Sequence, residues 1–248
     1  MQTEPPLLII APMASDFDLA QLPWAEATGE KISANLSKFK EFEMVEVIVD
    51  AMPFLLSRHT PTEIDQRLKA EKCDLLFCDH PSSDESAIGI AVRDNLSSAK
   101  HLLEVNRRLL SLAKWIGARL DATSAAWMPS RRLASFSYFQ ESVSQYLADG
   151  PFPTLFQTSF SELDNGCFVT NGLHYFAEQE IHLTAPLSYS ISDVTERLVR
   201  IIDDIANHGR IEVPSRSKGM IEGETLIFLP SHDLKQVDIE IRSAVTTN

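Results

Sequence analysis

One apolar stripe constrains this chain more than any other feature. Leu102, Val105, Leu109, Leu112, Ile116 and Leu120 recur at three- and four-residue steps, and Leu103 and Leu110 widen the band. Asn106, Arg107, Arg108, Lys114 and Arg119 occupy the other faces. The spacing predicts one helix over residues 97–120, ~35 Å long, with one side that must be covered. A helix of that length spans a whole small sheet, so the chain must supply strands for it to lie on.

Strand signals are plentiful. In the first half, residues 7–10, 44–50, 74–78 and 87–92 are apolar or β-branched runs. Thr60, Pro61 and Glu63 open a helix that extends to about Lys72: a cap, a proline in the first turn and an acid after it. Residues 16–39 hold one or two helical pieces, interrupted by Pro23 and Gly29. In the second half, 125–128 reads as a strand, 135–148 as a helix and 154–160 as a strand. Asp164, Asn165 and Gly166 form a hairpin turn that returns the chain through 167–175. Residues 178–183 follow as a third strand. Ser192 or Asp193 then caps a helix with the stripe Val194, Leu198, Ile201, Ile202 and Ile205, which stops at Gly209. Segments 211–213, 225–229 and 237–241 complete the strand set.

Helices mixed with antiparallel hairpins predict an α+β fold, with mixed or antiparallel sheets and packed helices. Both halves read as variants of one βαβ-based, ferredoxin-like unit. The division is expected after the long helix: 1–121 as an α/β half and 122–248 as an α+β half, or both joined in one compact unit.

Charge narrows the function. Against 22 Lys and Arg stand 35 Asp and Glu, a net charge of −13. A nucleic-acid binder needs a basic surface to replace phosphate counterions, and an anionic membrane repels acid, so neither partner is expected. The N-terminus lacks the basic start of a secretory signal, and no apolar run reaches the ~18 residues of a membrane span. Cys73, Cys78 and Cys167 are odd in number and outside C-x-x-C spacing, which fits reduced thiols and a cytoplasmic location. No phosphate-cradling glycine loop or other standard catalytic signature occurs, and no cofactor is predicted.

Chemistry would concentrate in residues 172–184. On a strand, Glu178, Glu180 and His182 share one face while Gln179, Ile181 and Leu183 take the other. Same-face neighbours are ~7 Å apart, so a metal could take Glu180 and His182 but not all three. His174 and Asp164 are the nearest additional ligands. Glu180, His182 and His174 are thus the candidate catalytic groups, and no metal site is predicted beyond the Glu180/His182 pair. Arg131 and Arg132, close to Trp127 and a helix start, could hold a carboxylate or phosphate. Cys78 and His80 could form a nucleophile and base, although no third member or oxyanion device accompanies them. Asp18, Glu26 and Asp50 lack the context of a phosphoacceptor site.

Trp127, Pro153, Thr170 to Leu173, Phe176, Glu180 with Ile181, and Gly223 to Thr225 fall in an ordered pattern. In that pattern, residues 123–242 resemble a bacterial family known as domain of unknown function 4261. The chain departs from it at Ala177 and Ile227, where the family has glycine, and at His182, where it has Glu. The resemblance implies a bacterial cytoplasmic protein and supplies no reaction.

The expected function is a non-catalytic binding or interaction protein, adaptor- or immunity-like, that holds a protein partner or self-associates. The alternative is a hydrolase whose Glu/His site gathers Glu180, His182, His174 and Arg131, with or without a metal.

Overall fold

The structure, a computed structural model, describes residues 4–13, 17–24, 32–33, 44–93, 96, 99–163 and 166–242. Glu26, Asp164 and Asn165 lie outside them. The fold is α+β, and the chain divides into two compact units, 1–156 and 157–248. The division expected after residue 121 moves because the next two strands pair into the first sheet.

In the first unit the strands are β1 (Leu7–Pro12), β2 (Ile32–Ser33), β3 (Met44–Val49), β4 (Met52–His59), β5 (Asp74–Leu76), β6 (Glu85–Val92), β7 (Ser124–Trp127) and β8 (Arg132–Ser135). They form one sheet in the order β2-β3-β4-β6-β1-β7-β8-β5. Every neighbour pair is antiparallel except β5 with β8. Leu7 to Ala11 of β1 are wholly buried, as the central position requires. Leu8 and Ile10 meet Ile64 and Leu68 of α1 (Pro61–Glu71). The stripe of α2 (Leu103–Arg119) lies against β1 and β6, and α3 (Phe136–Leu147) against β7, β8 and α2.

Local chemistry explains the boundaries. Thr60 and Glu63 form the reciprocal capping box expected for α1. The long helix starts later than its stripe suggests: Leu102 is extended, and the Asn106 amide donates to the carbonyls of Lys100 and Leu102 ahead of the first turn. Between β3 and β4, Asp50 and Ala51 both take positive φ, the two-residue turn that matches strand twist. The Asp50 carboxylate accepts from Arg108 Nε at 2.6 Å.

In the second unit, β9 (Ser159–Glu162), β10 (Cys167–Asn171), β11 (Glu180–Thr184), β12 (Ser215–Lys218), β13 (Thr225–Pro230) and β14 (Gln236–Arg242) form a sheet in the order β12-β13-β14-β11-β10-β9. The one parallel pair among its described strands, β11 with β14, is joined through α6 (Ile191–His208). With eight and six strands among the described residues, the sheets already exceed the four of a ferredoxin-like half. The α6 stripe is buried as read, but its cap is Ser190, boxed with Asp193. Three expected strands shift. Residues 154–157 form a short helix, α4, because Thr154 to Gln157 follow Pro153 into a turn. β10 stops at Asn171, where Gly172 turns with φ 99° into the short helix α5 (His174–Ala177). The strand expected at 211–213 lies at β12 instead.

Candidate functional site

Glu180 sits at the start of β11, facing the turn that leaves β10. Gly172 and α5 fold that turn back, so unpaired N–H groups point at the carboxylate. Thr170 Oγ1 donates to it at 2.6 Å, the Gly172 N–H at 2.8 Å, the His174 N–H at 3.2 Å and His174 Nδ1 at 2.7 Å. A carboxylate only accepts, which assigns the Nδ1–H tautomer to His174. Thr170 Oγ1 in turn accepts the Ile181 N–H at 2.8 Å. Burial alone would raise the Glu180 carboxyl, but the bonds from His174 and Thr170 outweigh it and hold it below the ordinary carboxylate range. The group is held ionised as a clasp between strand and turn.

His182 stays on the same face of β11 and is separate from the clasp. It lies beside Asp238 of β14, Nδ1 to Oδ1 3.9 Å, with 40% of its side chain exposed. Glu178 leaves the expected row: it takes φ 55° as the cap of α5 and pairs with Arg210 at 3.1 Å. Gln179 is wholly buried, and its amide bonds both the N–H and the carbonyl of Ile211. Among the described residues no group of three His, Cys, Asp or Glu could hold a metal ion.

The first unit carries the other candidates. Trp127 is fully buried and packs on Phe156, which withdraws it from any ligand at the surface. Arg131 Nε reaches Glu71 at 3.4 Å, and Arg132 reaches Asp74 at 3.3 Å, so each arginine already has a carboxylate. Cys78 is half-buried, its Sγ donates to the Leu133 carbonyl, and burial pushes the thiol up. The Cys73 thiol is pushed up to about 11 by burial. Neither has the lowered pKa of a nucleophile.

Three features went unseen in the sequence. Arg197 of α6 and Glu224 form a buried ion pair, with Tyr189 donating to Glu224 at 3.0 Å. Glu224 is the acid of the Gly223–Thr225 run, the one signal that pointed to it. Phe77, just past β5, is 74% exposed with φ 58° and rests against Tyr138. Finally, a cleft of about 290 Å³ opens between α1 and the β5–β6 loop, with Ile64, Leu68 and Pro81 on its apolar side and Asp65, His80 and Glu85 on its polar side.

No protein-family model, curated protein or solved structure matches this chain. No helix among the described residues is long and apolar enough to cross a membrane.

Proposed function

We propose that this is a non-catalytic binding protein, adaptor- or immunity-like, that takes an extended segment of a protein partner onto the open edge of β5. Phe77 carries this reading. A bulky residue in the left-handed region is disfavoured by ~1–2 kcal/mol, and here the ring is also turned to solvent. Leu75, 39% exposed, precedes it on the edge strand. The only charge on β5, Asp74, is matched by Arg132. The opposite policy is seen at β12, whose edge carries exposed Arg216 and Lys218, the charges that block strand addition. Added strands gain affinity from main-chain bonds and specificity from side-chain contacts such as Phe77 offers.

A bacterial, cytoplasmic setting and the likeness to the family of unknown function belong to the same proposal. The hydrolase alternative is weakened by the clasp: Glu180 accepts four bonds from its own unit, and His182 stands apart beside Asp238.

The test compares quantitative affinity capture by the wild-type chain, Phe77→Asp and Leu229→Asp, the last on an unrelated exposed site. Light scattering of each protein accompanies it. A partner or self-association lost only in Phe77→Asp supports the reading. A strict monomer that captures nothing specific, or capture unchanged by Phe77→Asp, overturns it.

A further inference from the structure

Among the described residues, three carboxylates, Glu46, Glu85 and Glu224, belong to residues that are more than nine-tenths buried. Buried charges are normally paired, because removing an ion from water without compensation is strongly unfavourable. Glu46 pairs with Arg93 at 2.9 Å and Glu224 with Arg197 at 2.7 Å. Glu85, 8% exposed, has no cationic partner among the described residues. It accepts one bond on each oxygen: Oε1 from Thr123 Oγ1 at 2.5 Å and Oε2 from the Ser82 N–H at 2.6 Å. Each oxygen keeps a further acceptor position.

Glu85 also lines the cleft beneath α1. None of the ten described residues that line that cleft is Lys or Arg, and Asp65 adds a second carboxylate at its rim, shared with Lys69 one helical turn on at 2.8 Å. Ile64 and Leu68 behind the cleft are almost wholly buried in the core, so the apolar surface open to a ligand comes from the half-buried Pro61 and Pro81. A volume of about 290 Å³ suits a short aliphatic stem rather than a cofactor.

We infer that this cleft binds a primary alkylammonium group, its stem along Pro61 and Pro81 and its charge on Glu85 and Asp65. The missing counter-cation of Glu85 is supplied by the ligand. The group could belong to a free small amine or to a lysine side chain of a peptide, which present the same chemistry. This inference is independent of the β5 edge.

The experiment is a ¹H–¹⁵N NMR titration of the full chain with n-butylamine at neutral pH, with 1-butanol and butyrate as controls. The expected result is a saturable shift of the Thr62, Asp65, Ser82 and Ser83 amides with the amine alone. Glu85→Gln should weaken it by about tenfold or more. In case that variant fails to fold, Ser83→Lys places a built-in ammonium at the cleft and should also abolish binding. A parallel titration with a lysine-containing tripeptide identifies the source: tighter binding than butylamine marks a peptide site, and weaker binding a free-amine site. No saturable shift, an equal response to 1-butanol, or binding unchanged in Ser83→Lys overturns the inference.

Discussion

Arg197 and Glu224 meet inside the second unit as a two-pronged pair. Nε lies 3.0 Å from both carboxylate oxygens, and Nη2 lies 2.7 Å from Oε2. Arg197 also donates to the Asp193 carbonyl and stacks over the Tyr189 ring, which fixes the plane of the guanidinium against Glu224. Removing one partner strands the other in the core. Glu224→Ala is therefore expected to lose about 3–5 kcal/mol in urea unfolding. The double variant Arg197→Met/Glu224→Leu should recover much of that loss, because it leaves no unpaired charge. A double variant as unstable as the single one would show that the pair's role is not electrostatic.

Acid should loosen the second unit through two carboxylates. Burial opposes ionisation of Glu224, yet Arg197, the Met220 N–H and Tyr189 hold it below its ordinary range, as His174 and Thr170 do for Glu180. A depressed native pKa means that the unfolded chain binds protons first. The stability is fully present above the ordinary carboxylate value of about 4.3 and is lost as pH falls through the native values. Urea midpoints measured from about pH 6 down to pH 3 should fall more steeply for the wild type than for Glu180→Gln. At neutral pH, Thr170→Val removes a donor to Glu180 and the acceptor of the Ile181 N–H, and should cost about 1–3 kcal/mol.

A glycine at position 77 would separate the proposed binding role of Phe77 from any role in folding. Glycine adopts its positive φ freely, so Phe77→Gly relieves backbone strain while losing the contact with Tyr138. Its stability should stay within about 1 kcal/mol of wild type, with partner capture lost. A loss of several kcal/mol in thermal or urea unfolding would mark Phe77 as a structural residue instead.

Thiol chemistry offers an independent check. Burial raises Cys73 to about 11 and also lifts Cys78, so few of these thiols are ionised at neutral pH. Peptide mapping after iodoacetamide should show slow alkylation of both in the native chain and fast alkylation in urea. Rapid native labelling of Cys78 would revive it as a nucleophile.

What could be read from the residues alone follows physical range. The α6 stripe was legible because one face is buried along the whole helix, and the Thr60 cap because its partner Glu63 is three residues away. β8 was not: four residues carry little periodicity, and its place depends on pairing with β5, far back in the chain. β4 was hidden by Pro53 and by bonds to β3 and β6 that no local pattern encodes. At the candidate site, Glu180 and His174 were found as residues, but their roles depend on the Gly172 turn folding α5 back onto β11. Arg197 lay on a stripe face that a charged residue should avoid, and its partner is 27 residues away.

The register of β11 against β14, Ile181 beside Val237, fixes an order of events during synthesis. The first sheet has its last strand once Ser135 has left the ribosome, whereas the second must keep β11 waiting through all of α6, β12 and β13. At ~5–20 residues per second, that exposes one side of a nascent strand for several seconds. A stalled or truncated chain would offer it to the nearest neighbour. Holding chaperones should therefore engage this protein late in translation, at chain lengths between those that complete α6 and those that release β14.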